Sequence, residues 1–357
     1  NLSPAAPDSV FTATTYSAGT PTVDISWNEP LDEDFQFFSI YRDNNLISHT
    51  TESTYNDEII NIVEEVSYYI TSTDVHGNES NPSESIFVQL QVNQEIETGT
   101  GWNWFSYNIE MENNSVNNVL SSLGNNALFI SSLFSGSATN YVAEDYGWFG
   151  LLETLETEQM YKIEMSEAAL LTVSGIPIDV ESVPITLIQG WNWIGFLPQN
   201  AGPISEALVS VSEEALFCVS QSSGVSTNYV NYNGWYGSLA TLEPGAGYLL
   251  EMGAPGTLIY PDFDGLARIE NKEQAVLPSR LSDWDFQYSD YEFVGAVTVS
   301  IDSRQDFDGD MVGVFVDGEC RGYSDRMYFP YDDRYMYIVQ VYSNDVEGEE
   351  MTFKYYD

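Results

Sequence analysis

An internal duplication constrains the fold of this chain more than any other feature of its sequence. Gly-Trp-Asn-Trp occurs at 101–104 and again at 190–193. Further matches follow in the same order: Thr-Asn-Tyr-Val at 139–142 and 227–230, Gly-Trp-x-Gly at 147–150 and 234–237, Thr-Leu-Glu at 154–156 and 241–243, and Glu-Met at 164–165 and 251–252. Solenoid repeats are about 20–50 residues long, so an offset that drifts only from 89 to 87 residues indicates two tandem domains.

The two copies, called here the first and second repeat, share the same predicted local elements. After the Gly-Trp-Asn-Trp strand, each has apolar residues at i, i+3, i+4 and i+7, which predicts one buried face of a short helix. These residues are Val116, Val119, Leu120 and Leu123 in the first repeat, and Ile204, Ala207, Leu208 and Val211 in the second. Gly124 is predicted to end the first helix, and Pro203 suits the first turn of the second. A hairpin is predicted to follow, and then a second hairpin over 155–173 or 242–260.

The length of 357 residues is too great for a single core and fits three or four domains of about 90 residues each. We predict a mainly-β chain of four tandem β-sandwich-like modules, of which the two central repeats each contain one short helix. The predicted modules are 1–95, 101–178, 186–262 and 283–357. The polar stretches 93–100 and 261–282 are predicted to be linkers.

The first module shows short strands separated by turn signals, a spacing that is typical of a β-sandwich. Apolar and polar residues alternate over 23–27 and 68–74, and another strand is predicted over 35–41. Turns are predicted at 42–45 and 76–78.

This module resembles a fibronectin type III domain. The resemblance is carried by Ile-Ser-Trp at 25–27 with Pro30, by Ser-Ile-Tyr-Arg at 39–42, and by 68–74 followed by Gly-Asn-Glu-Ser. It implies a sandwich in which Trp27 is the core indole and Tyr68 is the tyrosine-corner residue. It says little about function, because such domains serve as spacers, adhesion modules and enzyme appendages.

The other modules resemble parts of large secreted and cell-surface proteins of marine and Bacteroidota-type bacteria. For the repeats, the resemblance rests on Gly-Trp-Asn-Trp, Gly-Trp-x-Gly and the Leu-Glu-Pro-Gly-x-Gly-Tyr segment at 242–248. For the last module, it rests on the strand-turn-strand pattern at 314–322. These resemblances imply an extracellular location and no particular reaction.

The net charge of the chain limits the classes of partner that it can bind. Ten Lys and Arg against 55 Asp and Glu give a net charge of −45, which disfavours binding to nucleic acids and to anionic membranes. The acidity suits a soluble protein in a salty medium, or divalent-cation binding, or both. We find no apolar stretch long enough for a membrane span and no signal peptide, and we expect the chain to be a mature or excised piece of a longer protein.

Calcium is the cofactor that the acidic residues suggest. Carboxylates alternate around Gly309, as in loops that fold oxygen atoms around a cation, although the spacing is not that of an EF-hand. The candidate ligands are Asp302, Asp306, Asp308, Asp310 and Asp317. A solvated acidic turn is the alternative, and the three acids at 32–34 and the two at 332–333 are weaker candidates.

The tryptophans of the repeats are the candidate ligand-binding residues, because large aromatic rings can form a platform for a sugar or a peptide. They are Trp102, Trp104 and Trp148 in the first repeat, and Trp191, Trp193 and Trp235 in the second. Two residues that are two apart on a strand point to the same face, which is either the core or an open platform.

Catalytic machinery is not evident. His49 and His76 lie near predicted turns without a nucleophile motif, and two histidines with the remote Cys218 and Cys320 do not compose a zinc site. Cys218 lies in an apolar run and is predicted to be a buried thiol. Two of the 55 acids at glycosidase spacing stay open as an alternative, but modules of about 90 residues rarely supply a deep cleft.

We therefore predict a non-catalytic, extracellular structural or adhesive segment, such as a stalk, filament or adhesin body, stiffened by calcium. Its predicted partners are copies of itself or a surface polymer. The alternative is a carbohydrate- or polymer-binding appendage of a secreted enzyme.

Overall fold

The computed structural model describes residues 3–17, 20–28, 33–59, 64–140, 147–229, 234–263, 284–301, 307–329 and 333–357. The fold is mainly β, as predicted, with several small antiparallel sheets and little helix. No helix within the described ranges is long and apolar enough to cross a membrane.

The chain forms two compact units. The first contains Asn1–Asn93, Ile109–Glu112 and Ser174–Asp179, and the second contains Gln94–Asn108, Asn113–Val173 and Val180–Asp357. The division into four modules stays a prediction from sequence.

The Asn1–Asn93 part of the first unit contains the sheets with strand orders β1-β2-β5 and β4-β3-β6-β7. Their strands are β1 (Phe11–Ser17), β2 (Thr20–Ser26), β3 (Phe35–Arg42), β4 (Asn45–Thr50), β5 (Thr54–Glu58), β6 (Glu65–Asp74) and β7 (Ile86–Gln89). Asp43 and Asn44 both have positive φ, so β3 and β4 are joined by a two-residue turn whose twist matches that of the strands.

The core of the first unit is built from the alternating residues of these strands. Trp27 is 5% exposed and meets the Phe38 ring edge-on at 5.1 Å, which confirms it as the core indole. Tyr68 is also fully buried, but its hydroxyl donates to Oδ2 of Asp57 at 2.6 Å. A tyrosine corner bonds to backbone, so that detail of the prediction is wrong. Arg42 Nη1 donates to both oxygens of Asp57, so the buried carboxylate satisfies the two side chains together.

The two repeats have sheets of the same order, β13-β12-β11-β14-β9 in the first and β21-β20-β19-β23-β17 in the second. The strands of the first sheet are β9 (Gly101–Phe105), β11 (Ala127–Ser131), β12 (Ser137–Asn140), β13 (Trp148–Gly150) and β14 (Tyr161–Met165). Those of the second are β17 (Gly190–Gly195), β19 (Ala215–Ser220), β20 (Val225–Tyr229), β21 (Gly234–Gly237) and β23 (Gly247–Met252).

The helices of the repeats have the predicted buried face but are shorter than predicted. They are α1 (Val116–Val119), which continues as a 3₁₀ turn over Ser121–Asn126, and α2 (Ile204–Ala207), followed by a 3₁₀ turn over Val209–Val211. All eight residues of the two predicted faces are buried. Gly124 has φ 54° and ψ −132°, so the helical path breaks at the predicted stop. Pro203 lies one residue before α2.

The second hairpin predicted in each repeat is wrong. β14 is bonded on both edges, to β9 and β11, and β23 is bonded to β17 and β19. The strand after β14 and the strand after β23 therefore pair outside the five-stranded sheets. β15 (Ala169–Pro177) follows β14 and pairs with β10 (Ile109–Glu110), and β24 (Gly256–Leu258) follows β23 and pairs with β16 (Ile185–Leu187). A further short pair joins β18 (Gly202–Pro203) to β22 (Thr241–Leu242).

The predicted linker over 93–100 is also wrong. It forms most of β8 (Val92–Thr98), in which Ile96 and Thr98 are buried and the Thr98 hydroxyl donates to the Ala169 carbonyl at 2.8 Å. This strand could not be predicted from an apolar–polar alternation, because Ile96 and Thr98 are its buried side chains and the rest of the segment is polar. The other predicted linker lies mostly outside the described residues.

The last part of the chain forms two three-stranded sheets, β25-β29-β28 and β27-β26-β30. Their strands are β25 (Phe293–Val299), β26 (Met311–Val316), β27 (Glu319–Asp325), β28 (Met327–Phe329), β29 (Arg334–Ser343) and β30 (Thr352–Tyr356), and a 3₁₀ turn at Tyr288–Asp290 precedes them. Asp317 and Gly318 have positive φ and form the predicted turn between β26 and β27.

Candidate binding face of the tryptophan repeats

The asparagine of Gly-Trp-Asn-Trp closes the turn that leads into each first strand. Asn192 Nδ2 donates to the carbonyls of Ile188 and Gly190, both at 2.9 Å, and its Oδ1 accepts from the Ile188 amide at 2.9 Å. Asn103 makes the same three bonds with Gly99 and Gly101. The first glycine of the motif has φ 83° or 91°, a conformation that glycine adopts without strain.

Other shared residues also serve the fold. Asn140 Nδ2 donates to the Ala127 carbonyl at 2.8 Å, and Asn228 Nδ2 donates to the equivalent Ala215 carbonyl at 3.1 Å. The hydroxyl of Tyr161 accepts from the Glu156 amide at 2.6 Å, as Tyr248 does from Glu243 at 2.8 Å. The repeated motifs are therefore signatures of the module's architecture, because their polar groups satisfy backbone groups of the same module.

The six candidate tryptophans do not share one face. Strand register places Trp102 and Trp104 on the sheet face opposite Ile130 and Ile163, which line the module's core. Trp148 pairs with Asn140 and so lies on the core side. The second repeat repeats this arrangement with Trp191, Trp193 and Trp235. We call the side of each sheet that carries its first two tryptophans the tryptophan face.

Cross-strand pairs form two rows on each tryptophan face. The aromatic row consists of Phe149, Thr139, Phe129, Glu164 and Trp102 in the first repeat, and of Tyr236, Thr227, Phe217, Glu251 and Trp191 in the second. The junction row consists of Ser137, Ser131, Lys162 and Trp104 in the first repeat, and of Val225, Val219, Leu249 and Trp193 in the second. The copies therefore keep the aromatic row and differ in the junction row.

The two repeats pack against each other with approximate two-fold symmetry. Phe105 bridges to Ala246, and the equivalent Ile194 bridges to Gln159. The Ser106 amide donates to the Gly245 carbonyl at 3.1 Å, and the equivalent Gly195 amide donates to Glu158 at 2.9 Å. These two backbone contacts of one repeat are thus returned by the other, as in an isologous dimer interface, whereas the side-chain bonds of Ser106 and Gln221 to the other repeat have no counterpart.

Lys162 lies at the junction of the two repeats and the last sheets, and only 2% of it is exposed. Its Nζ lies 5.3 Å from the ring centre of Trp104 and 4.6 Å from those of Trp193 and Phe293. It donates to the Glu292 carbonyl at 2.9 Å. Burial lowers the pKa of Lys162 to about 8, and the Glu292 carboxylate opposes that shift. The second tryptophan of both motifs therefore encloses a cation inside the protein.

The tryptophan face of the second repeat is covered by the last sheets. Val219 and Val225 are fully buried in one cluster with Ile338. Phe329 contacts the rings of Tyr229 at 4.5 Å and Tyr236 at 5.9 Å. The junction row and the part of the aromatic row around Thr227 and Tyr236 are therefore an internal packing surface, whereas Trp191 at the other end of the face is 40% exposed.

The tryptophan face of the first repeat is more open at the end away from Lys162. Phe149 is 55% exposed, Phe134 is 69% exposed and Leu151 is 85% exposed. Thr139 is exposed as well, whereas its counterpart Thr227 is buried. At the other end, the rings of Trp102 and Phe129 meet edge-on at 6.0 Å and are half-buried.

The predicted calcium ligands are only partly described, because Asp302 and Asp306 lie outside the described residues. Asp308 forms an ion pair with Arg326. Asp310 is buried, and its Oδ2 accepts from the Phe307 amide at 2.7 Å and from the Tyr355 hydroxyl. Asp317 occupies the β26–β27 turn. The buried Asp310 carboxylate thus already accepts hydrogen bonds that connect its loop to β30.

A group that could hold a metal ion occurs in the first unit, where ligand atoms of Asp34, Asp74 and His76 lie within 4.8 Å of one another. Asp74 is fully buried and accepts from the amides of His76 and Asn78, both at 2.9 Å, and from Asn78 Nδ2 at 2.7 Å. The Asn78 side chain, more than any other group, lowers the pKa of Asp74. These bonds explain Asp74 as the cap of the turn after β6. Sequence reasoning missed the group because Asp34 is forty residues from the turn.

The other reactive side chains named from the sequence are His49, Cys218 and Cys320. His49 is exposed on β4, and its Nδ1 lies 3.1 Å from the hydroxyl of the buried Ser39. The His49 ring also meets the Phe37 ring edge-on, with the ring centres 4.8 Å apart. The side chains of Cys218 and Cys320 are both buried, and burial raises the pKa of Cys218.

Comparison with known proteins identifies no family. No family model matches the chain, and no curated protein matches it. Solved structures align with low scores. A family 28 exopolygalacturonase from Yersinia enterocolitica aligns at TM-score 0.21 and 10% identity, over 24% of this chain and 20% of the enzyme. A chitinase from Bacillus thuringiensis aligns at TM-score 0.20 and 13% identity, over 48% of this chain and 27% of the enzyme.

A calcium-stabilised adhesin that helps an Antarctic bacterium bind ice aligns over 95% of this chain and 93% of its own, at TM-score 0.14 and 10% identity. This chain therefore spans about a quarter or less of the first two structures. None of the three scores indicates a shared fold.

Proposed function

We propose that the chain is a non-catalytic structural and adhesive segment of an extracellular or cell-surface protein. One observation carries the proposal: the second tryptophan of each repeat is used to join parts of the chain. Trp104 and Trp193 enclose Lys162 where the two repeats meet the last sheets. Interfaces of this kind stiffen a multimodular chain, because the modules then unfold together and resist bending.

The charge supports an extracellular setting of high ionic strength. At about 0.5 M salt the Debye length is about 4–5 Å, which screens most of the repulsion within a chain of net charge −45. We also propose that calcium stabilises the loop that contains Asp308 and Asp310. The melting temperature should then be higher in calcium than in EDTA, and equal values would remove calcium from the account.

Pulling the full chain by its ends in a single-molecule experiment tests the structural role. Residues 94–357 include the repeats and the last sheets, and their unfolding together would lengthen the tether by roughly 80–90 nm in one step. Independent modules would instead give several steps of about 25 nm each. The first result is expected for the wild type, and steps of the second size would contradict the proposal.

A second function, binding of a carbohydrate or another polymer, is favoured by the exposed side chains of the first repeat. Phe149 lies in a row with Thr139, and the counterparts of these two residues in the other copy are covered, Tyr236 by Phe329 and Thr227 by burial. An adhesive segment and an enzyme appendage would both use such a face, so this proposal does not depend on the parent protein.

A further inference from the structure

The two tryptophan faces differ in a way that indicates different occupants. Where the second repeat has Val219, Val225 and Leu249 beneath the last sheets, the first repeat has Ser131, Ser137 and Lys162. At the margin of the face the first repeat is instead the more apolar copy. Its Leu151 and Phe134 correspond to Ser238 and Ser222 of the second repeat.

Each substitution in the junction row removes a side chain that a buried apolar interface needs. Burying a serine hydroxyl without a hydrogen bond costs free energy, whereas a buried valine contributes to stability. The first repeat nevertheless buries Ser131 Oγ and Lys162, so only the end of its face around Ser137 and Thr139 is unsuited to covering by another sheet like the last ones. Its apolar groups lie instead at an exposed margin, around hydroxyl-bearing residues.

The aromatic row of the first repeat keeps its rings on alternate strands. Phe149 and Phe129 lie two strands apart, which is about 10 Å and matches the length of two extended sugar residues. Thr139 lies between them on β12 and offers a hydroxyl to a ligand at that point. Aromatic rings provide flat apolar contacts, and the hydroxyls supply hydrogen bonds that fix the orientation of a ligand.

We propose that this face, defined by Phe134, Phe149, Leu151, Thr139 and Ser137, binds a neutral polysaccharide chain. The inference rests on the second function proposed above and names its ligand class and its site. The charge of the chain favours a neutral polymer over an anionic one, because a net charge of −45 repels anionic groups at contact distance and a neutral polymer experiences no such repulsion.

Affinity gel electrophoresis of the full chain tests the site, with hydroxyethyl cellulose and dextran as neutral probes and polygalacturonate as the anionic comparison. The variants Phe149→Ala and Leu151→Ser change exposed side chains, and the second introduces the residue of the other repeat. Phe353→Ala is the matched control, because Phe353 is 50% exposed in the last sheets. Circular dichroism checks that each variant is folded.

At least one neutral polymer should retard the wild type and the control, and each site variant should bind at least about tenfold more weakly. Equal retardation of all four proteins, or no retardation by either neutral polymer, would overturn the inference. Self-association of the wild type in sedimentation that Leu151→Ser abolishes would also overturn it, because a second copy would then occupy the face. None of these results bears on the pulling experiment, so the structural proposal stands or fails separately.

Discussion

Lys162 shows how one residue gives the two repeats different roles. Its counterpart in the second repeat is Leu249, an apolar residue in the same row. A buried lysine loses hydration, and three aromatic rings and one carbonyl replace only part of that loss. Lys162 therefore specifies how the modules meet more than it stabilises them.

The lowered pKa of Lys162 gives a prediction about stability and pH. The folded-state pKa of about 8 lies below the ordinary lysine pKa of 10.5, so the unfolded chain holds the proton over the interval between them. Stability contributed by this residue should then rise as the pH increases from about 8 to 10, by about 2–3 kcal/mol in total.

Urea unfolding of the wild type and of Lys162→Leu at pH 7.5 and 9.5 measures the effect, with the variant serving as the reference for all other titrating groups. The free energy of unfolding of the wild type should gain on that of the variant as the pH rises. Parallel changes in the two proteins would contradict the assignment.

At the scale of elements, local patterns in the sequence predicted most strands and both buried helix faces. Both patterns arise because one face of the element is buried. Val23 and Ile25 lie on the buried face of a strand, and Val116 and Val119 lie on the buried face of a helix. The second hairpin could not be predicted in this way, because pairing of β14 depends on which edges distant strands already occupy. The burial of the tryptophan faces could not be predicted from local patterns either, because Trp104 is covered by residues from other modules.

The interface between the repeats depends on a close backbone approach at Gly195. A Cβ at this position would lie 2.2 Å from the Thr157 carbonyl oxygen. We expect Gly195→Ala to reduce the free energy of unfolding by about 2 kcal/mol or more, because backbone on both sides would have to move.

Gly295→Ala is the control for Gly195→Ala, since Gly295 lies within a strand and a Cβ there would meet nothing within 4 Å. Urea denaturation of the two variants provides the comparison. A loss of stability no larger than that of the control would show that the repeats do not approach as closely as described.

At the scale of the whole molecule, we expect the second unit, which includes both repeats and the last sheets, to unfold as one cooperative body. Trp104 is the residue that links them, because it lies in one buried cluster with Leu249 of the second repeat and Ile338 of β29. A defect at Trp104 should therefore be felt in all three parts and not only in the first repeat.

Hydrogen exchange of the full chain with and without Trp104→Ala measures this coupling most directly. Peptides that cover β9, β17 and β29 should lose protection together in the variant, by about 3–5 kcal/mol in the free energy of opening, while β3 and β6 of the first unit stay unchanged. Loss of protection confined to the first repeat, with β17 and β29 exchanging as in the wild type, would contradict the account.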